Sequence, residues 1–259
     1  MTPEQKFVQE FDQRRREYLE RKGLITQTPE QQQAGIEYWN KVFSSESKPR
    51  TFAPRIVKQE MAYDKARSIV RELYKDRAQE IAQIEDRPFK WDFSPELTTN
   101  VQTLIKYFIN DPSCLVSLSK GLFIYGPNGT TKTETMLIFE RFCDQEKLSK
   151  AFRFENLSKV HNDAKVNKDY DPITPNIQFN RCFDEFARHT GPITRFGEQI
   201  DINEAIIETR YDRFKRYGQT THLICNAETH ELKNVLSQMV FDRLRSMMTS
   251  IKFSGNSKR

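Results

Sequence analysis

The residues best suited to chemistry lie in one stretch, where a short apolar run ends in a turn and a helix-compatible segment follows. The run ends at Tyr125 and continues into Gly126, Pro127, Asn128, Gly129, Thr130, Thr131, Lys132, Thr133 and Glu134. A loop between a strand and a helix directs backbone N–H groups and the helix N-terminus at one point, which suits a phosphate chain. Lys132 would lie along the β- and γ-phosphates, and the Thr133 hydroxyl would hold Mg²⁺. The stretch from Gly126 to Glu134 therefore predicts an ATP·Mg²⁺ site.

Thr131 departs from the usual pattern of such loops, G-x-x-x-x-G-K-[ST], which has a second glycine at that position. Glycine serves where the backbone must take an unusual φ or approach a ligand closely, and a β-branched residue is a poor substitute. We therefore expect a degenerate loop that still binds nucleotide. The alternative is an ordinary strand-to-helix turn.

A pair of carboxylates follows about 50 residues later, in Asp184 and Glu185. A phosphate loop needs a second carboxylate site at the tip of a neighbouring strand, where Asp184 would hold Mg²⁺ and Glu185 would polarise an attacking water. The segment looks like a Walker B motif, although Gln178, Asn180 and Arg181 interrupt the apolar run that a buried parallel strand requires. The alternative is an exposed acidic turn.

Two further polar residues have possible roles in hydrolysis. Asn226 ends the apolar run that begins at Thr221, where its amide would hydrogen-bond the lytic water or the γ-phosphate. A strand-terminal Asn is equally a turn former. Arg243 lies on a predicted helix, where an arginine is usually solvated. Held at a subunit boundary, however, it would enter the neighbour's site and neutralise transition-state charge.

The elements that position these residues follow from the hydrophobic pattern. A helix is predicted to start at Ser94-Pro95 and to end near Asn110. Strands are expected near residues 121 to 125, 151 to 155, 178 to 184, 220 to 226 and 249 to 254, with helices between them. That alternation predicts an α/β fold with a central parallel sheet covered on both faces.

The first third of the chain has a different pattern. Thr2 and Thr28 each begin a Thr-Pro-Glu-Gln helix start, and a longer helical pattern follows through Ala62 and Leu73. We therefore predict a helical N-terminal partner-binding domain at residues 1–86, a linker at 87–93 and an ATPase domain at 94–259. The apolar faces of these helices could pack against one another in a self-contained bundle, or against a partner in a docking module.

Composition narrows the class of protein. The 259 residues are 37% hydrophobic and 30% charged, with a formal net charge of +5, which permits contact with nucleic acid without requiring it. No apolar run approaches the ~20 residues of a membrane span, and Met1 is not followed by a signal-peptide core. The four cysteines are far apart and the four histidines lack ligand spacing, so we expect a cytoplasmic protein without a disulfide framework.

Taken in order, these motifs resemble those of the bacterial AAA+ ATPases of the DnaC-type helicase loader and IstB group. The resemblance covers roughly residues 94 to 259 and is carried by Tyr107 to Pro112, the phosphate loop, Asp184-Glu185, Asn203 to Ile207, Asn226, Glu231 to Lys233, Phe241 to Leu244 and Phe253 to Arg259. It implies a nucleotide-dependent homo-oligomer that grips single-stranded DNA and places a replicative helicase, which its N-terminal helices hold.

The resemblance also implies roles for single residues. Arg243 matches an arginine finger acting in trans, Arg259 a C-terminal arginine that senses nucleotide, and Asn156 to Lys168 a helical insertion facing single-stranded DNA. Ser237-Gln238-Met239 replaces the Gly-Glu-Arg of relatives, which with Thr131 favours binding over fast hydrolysis. Three hypotheses follow: a helicase loader with weak ATPase activity, an IstB-like ATPase accessory to a transposase, and a nucleotide-binding scaffold with little or no hydrolysis.

Overall fold

The structure is a computed structural model that describes residues 58–254, except 168–170, 177, 190, 196–197, 228–231 and 233–235. The helix starts predicted at Thr2 and Thr28, and Arg259, lie outside the described residues. The described residues belong to one compact unit. Among the described residues, no helix is both long and apolar enough to cross a membrane.

A five-stranded parallel sheet forms the centre of this unit. Its strands are β1 (Gly121–Tyr125), β2 (Phe152–Asn156), β3 (Asn180–Asp184), β6 (Thr221–Cys225) and β7 (Met248–Lys252). They lie in the order β2-β3-β6-β1-β7, so β1 is an interior strand between β6 and β7, and each neighbouring parallel pair requires a crossover. All five predicted strands are confirmed, each shifted by no more than a few residues.

Helices connect the strands, as the alternating pattern predicts. They are α1 (Tyr63–Glu85), α2 (Pro95–Phe108), α3 (Lys132–Gln145), α4 (Leu157–Val166), α5 (Ile202–Tyr217) and α6 (Gln238–Met247). The predicted cap of α2 is present, because the Ser94 side chain accepts a hydrogen bond from the Leu97 N–H. Sequence periodicity missed one feature, a two-stranded antiparallel hairpin of β4 (Ile193–Arg195) and β5 (Glu198–Ile200). Strands of this length are too short to show an alternation.

The core lies in two layers on the two faces of the sheet. Along β1, Leu122 and Ile124 belong to the cluster that α1, α2 and α3 cover, whereas Phe123 belongs to the cluster that α4, α5 and α6 cover. Successive side chains of a strand point to opposite faces, which explains this division. The structure thereby confirms the predicted fold class, an α/β fold with a central parallel sheet covered on both faces.

The position of α1 differs from the predicted domain boundary at residues 87–93. Ala66, Val70, Leu73 and Tyr74 of α1 are buried in the same cluster as α2 and α3. Pattern alone assigns α1 to the helices before it, because an amphipathic stripe does not reveal which surface covers it. The segment 87–93 is an irregular connection within one core.

A buried arginine braces the sheet at the end opposite the phosphate loop. Arg210 of α5 is 1% exposed and donates to Thr221 Oγ1 at 2.7 Å, Thr220 O at 2.7 Å and Phe179 O at 2.8 Å. These acceptors lie at the starts of β6 and β3, so Arg210 ties α5 to both strands. Arg210 lies on the same face of α5 as the buried residues Ile206 and Ile207.

Candidate nucleotide-binding site

The loop from Gly126 to Thr131 leaves β1 at the carboxyl edge of the sheet and leads into α3. Gly126 has φ +141°, and a Cβ there would lie 1.9 Å from the carbonyl oxygen of Phe253. The chain after β7 passes so close because the Phe253 N–H donates to Tyr125 O at 2.8 Å. Only glycine fits this point, which explains the first glycine of the motif.

Thr131 adopts the backbone conformation that the motif assigns to glycine. Its φ is +63° and its ψ 13°, in the left-handed region, and α3 begins at the next residue. Its hydroxyl donates to Thr130 O at 2.6 Å. A β-branched residue is costly in this region, so the loop keeps its path with backbone strain. The prediction that Thr131 weakens the loop without abolishing it stays a prediction.

Lys132 lies inside the loop and is 4% exposed. Its ammonium donates to Gly126 O at 2.8 Å, Pro127 O at 2.7 Å and Thr130 Oγ1 at 3.2 Å. All three acceptors are neutral, and burial lowers the pKa of the lysine. Anionic oxygens make stronger bonds to an ammonium than neutral ones, so a phosphate in the loop would be the better partner.

Thr133 and Asp184 meet at the same edge of the sheet. The Thr133 hydroxyl donates to Asp184 Oδ2 at 2.9 Å. Asp184 ends β3 and is 5% exposed, and burial raises the pKa of its carboxyl. A hydroxyl beside a buried carboxylate is a pair of hard oxygen ligands of the kind that Mg²⁺ binds together with phosphate oxygens. The two residues therefore fit a magnesium ion.

Phosphate or water oxygens would complete the coordination of that ion. Within the part of the chain that the structure describes, no group of three or more His, Cys, Asp or Glu side chains is placed to hold a metal. Mg²⁺ commonly binds through one or two carboxylates and substrate phosphates, so the donor set at Thr133 and Asp184 suits a nucleotide-bound ion.

Glu185 follows Asp184 in a left-handed conformation, with φ +57°. Its N–H donates to Asp184 Oδ1 at 2.7 Å, and its carboxylate forms an ion pair with Arg188. Burial alone would raise the pKa of Glu185, but Ser158, Arg188 and Asn156 together hold that pKa below its usual value. Glu185 is thus a carboxylate that stays ionised at neutral pH.

Arg188 is a site residue that the sequence analysis missed. It reaches Glu185 only because the chain turns back at residues 185–187, where Glu185 and Ala187 both have positive φ. The Glu185 N–H to Asp184 bond and the Arg188 N–H to Glu185 O bond of 3.2 Å close this turn. The spacing of three residues in the sequence was the only signal available.

The predicted hydrolysis residues have different surroundings. Asn226 is exposed and directly follows β6, whose Cys225 is paired with Tyr125 of β1. Asn226 therefore lies at the same sheet edge as the loop. Arg243 forms an ion pair with Glu208 of α5 at 2.8 Å and lies over the ring of Tyr211, 5.6 Å from its centre. The structure holds Arg243 against its own chain.

The predicted insertion helix is α4. Asn156 caps it by accepting from the Lys159 N–H at 3.0 Å, and Leu157, Val160 and Ala164 bury one side. Lys159 and Lys165 are exposed, and Lys168 lies outside the described residues. The buried side of α4 follows from the spacing of its apolar residues, and contact of the lysines with DNA stays a prediction.

Comparison with known proteins gave results for solved structures only. No family model matches the chain, and no curated protein matches it. The chain is similar to a structure of DnaI, with 13% identity and TM-score 0.49 over 66% of this chain and 88% of that one. It is also similar to the DnaC helicase loader, with 12% identity and TM-score 0.44 over 64% and 94% of the two chains.

A third similar structure is AMPPCP-bound DnaA from Aquifex aeolicus, with 13% identity and TM-score 0.44 over 65% of this chain and 50% of that one. These similarities are distant. The strand order, the loop between β1 and α3 and the contact between Thr133 and Asp184 are features of this chain's own structure.

Proposed function

We propose that this protein binds ATP·Mg²⁺ at the loop from Gly126 to Glu134 and acts as a helicase loader in DNA replication. The observation that carries the proposal is the bond between Thr133 and Asp184 beside the buried ammonium of Lys132. Burying a lysine and an aspartate at the end of a parallel sheet costs desolvation energy, which an ordinary turn does not require. A site for a triphosphate and its metal requires both.

Each residue has a distinct task in this proposal. When bound, ATP·Mg²⁺ supplies the phosphoryl group and neutralises part of its charge. Lys132 donates to phosphate oxygens, and Thr133 and Asp184 hold the metal. Glu185, ionised at neutral pH, orients and polarises a water once Arg188 releases it, and the Asn226 amide positions that water.

Arg243 and Arg259 would complete the site in an oligomer. For Arg243 to act in a neighbouring protomer, its ion pair with Glu208 must open, because that pair holds its guanidinium against α5. We further propose that residues 1–57 bind the replicative helicase and that α4, with Lys159 and Lys165, faces single-stranded DNA. The alternatives are a transposase-accessory ATPase of the IstB type and a scaffold that binds nucleotide without turnover.

Nucleotide binding is tested by titrating ATP·Mg²⁺ into the purified protein and measuring Kd by calorimetry. Lys132→Ala removes a buried cation that would contact phosphate, so we expect Kd to rise by at least about tenfold. Lys215→Ala removes an exposed lysine of α5 and serves as the matched control, with an unchanged Kd. Equal affinity of wild type and Lys132→Ala would remove the loop from the site.

Hydrolysis is tested by steady-state phosphate release with single-stranded DNA present. If Glu185 polarises water, Glu185→Gln lowers the rate by about a hundredfold or more while ATP still binds. Identical rates for wild type and Glu185→Gln would contradict the proposed hydrolysis and favour a scaffold that binds nucleotide without hydrolysing it. A co-elution experiment, with and without ATP, separates the two partner hypotheses. Recovery of a replicative helicase favours the loader, whereas recovery of a transposase favours the IstB-like accessory ATPase.

A further inference from the structure

Helix α1 runs alongside the helix that begins at the phosphate loop, in the opposite direction. Near the start of α1, Lys65 lies 3.6 Å from Glu146, just after the end of α3. Two thirds of the way along α1, Tyr74 and Arg77 reach Thr135 and Glu134 in the first turn of α3. In the first turn of α3, α1 therefore contacts Glu134 and Thr135, which directly follow Lys132 and Thr133 in the chain.

The contact between Arg77 and Glu134 is the strongest of these. Arg77 Nε donates to Glu134 Oε2 at 2.6 Å, and the two side chains are 20% and 30% exposed. Arg77 also donates to Glu80 at 2.9 Å, and Glu80 has a second partner in Arg141 at 2.7 Å. Removing Arg77 would thus leave Glu134 without this cation, while Glu80 keeps Arg141.

Glu134 is an unusual neighbour for a triphosphate. A carboxylate in the first turn of a helix is favoured by the positive end of the helix dipole. Glu134 follows Thr133 in the chain, where the phosphates and their metal would lie. Its negative charge would repel a triphosphate unless a cation neutralises the carboxylate, because the site is partly buried.

Two features fix the place of Arg77. The Tyr74 hydroxyl, one helical turn before it, donates to Thr135 Oγ1 at 3.1 Å in the core. The indole N–H of Trp91 donates to the Tyr74 carbonyl at 2.7 Å, and the two rings lie edge to face, 5.0 Å apart. Arg77 is therefore presented to Glu134 by a packed helix.

We propose that Arg77 is a positioning residue of the nucleotide site, supplied by α1 from outside the sheet. It holds the Glu134 carboxylate against α1 and neutralises it, so that the first turn of α3 accepts a triphosphate. The proposal rests on the proposed function, because it concerns the affinity of the same loop for ATP·Mg²⁺. It adds to the site a residue that lies more than 50 positions before Lys132.

A double-mutant cycle tests the proposal. The Kd for ATP·Mg²⁺ is measured for wild type, Arg77→Ala, Glu134→Gln and the double variant at low salt. We expect Arg77→Ala to raise Kd by roughly fivefold, the size of one incompletely screened charge. Glu134→Gln removes the repulsion at its source, so Arg77→Ala should have no further effect in that background.

Two controls separate charge from structure. Arg77→Lys keeps the positive charge and should retain most of the wild-type affinity. Lys75→Ala removes an exposed lysine of the same helix turn, paired with Glu72 at 2.7 Å, and should leave Kd unchanged. The fivefold effect of Arg77→Ala should also shrink at high salt, because ions screen partly exposed charges.

The outcomes are distinguishable. If Arg77→Ala weakens binding as much in the Glu134→Gln background as alone, the effect is structural and the inference is wrong. If Arg77→Ala changes nothing while Lys132→Ala weakens binding, the nucleotide site stands and the inference fails. If the wild-type protein binds no nucleotide, both the proposed function and the inference about Arg77 are wrong.

Discussion

At the scale of single residues, Thr131 shows how a motif can lose a residue and keep its geometry. The backbone at this position has φ +63°, so the conformation that glycine would adopt freely is present with a threonine. This conformation lowers the free energy of unfolding, because a non-glycine residue in the left-handed region is disfavoured by about 1–2 kcal/mol. The loop therefore keeps the backbone path of the motif at the cost of strain.

We expect Thr131→Gly to relieve this strain. The free energy of unfolding should rise by about 1 kcal/mol, and the affinity for ATP·Mg²⁺ should rise because no side chain crowds the loop. Thr131→Ala is the control, since it loses the same hydroxyl contact with Thr130 O but keeps the Cβ. Urea unfolding and calorimetry measure the two effects. Equal stability of the Gly and Ala variants would show that the backbone at this position is unstrained.

At the scale of elements, β6 depends on buried polar groups. His222 of β6 is fully buried, and its Nδ1 accepts a hydrogen bond from the Leu122 N–H of β1 at 3.1 Å. The rings of Tyr107, Phe108 and Phe152 surround it. Burial, with the nearby charges of Lys150 and Arg210, lowers the pKa of His222 to about 3.

This histidine makes the fold sensitive to acid. An ordinary histidine has a pKa near 6.5, so as the pH falls from about 6.5 towards 3 the unfolded chain takes up a proton that the folded chain does not. The contribution of neutral His222 to stability is present above this range and is lost as the pH falls through it.

We expect His222→Asn to flatten the pH dependence of unfolding in that range, because the Asn side-chain oxygen accepts from Leu122 N–H and does not titrate. The slope of unfolding free energy against pH should decrease by up to about 1.4 kcal/mol per pH unit. Urea unfolding at several pH values measures the slope, with His189→Asn as the matched control. A slope equal to that of the wild type would contradict the assignment.

At the scale of the whole molecule, α1 decides where the folded unit begins. Its residues Ala66, Val70, Leu73 and Tyr74 are at most 4% exposed and pack with the helices that cover one face of the sheet. Without α1 this surface, which includes parts of α2 and α3, would face water. The proposed partner-binding region is therefore best sought in residues 1–57.

A truncation experiment tests this boundary. A fragment starting at residue 58 should unfold in one cooperative transition, as the compact unit predicts. A fragment starting at residue 94, the boundary predicted from the sequence, should be several kcal/mol less stable or aggregate, because burying each large apolar side chain contributes about 1.5–3 kcal/mol. Thermal unfolding and light scattering compare the two. Equal stability would show that α1 is dispensable for the fold.

The sequence by itself predicted the five strands of the central sheet and the helices between them, and it proposed Lys132, Thr133 and Asp184 as site residues. The strands were predictable because burial on both faces produces short apolar runs between helical patterns. Lys132 and Thr133 open the helix after β1 and Asp184 ends β3, so their positions follow from the local pattern. The structure brings these three residues together. The ion pair of Arg243 with Glu208, the turn that brings Arg188 to Glu185 and the docking of α1 were not predictable.

Only the tertiary structure decided these features. Each depends on which side chains meet in space, and such contacts produce no periodic pattern in the sequence. Thr131 illustrates the division most clearly. Its identity in the sequence indicates a weakened loop, but only the structure shows that its backbone is left-handed, as the motif requires of glycine. Local pattern fixes which elements form, and packing fixes which charges meet.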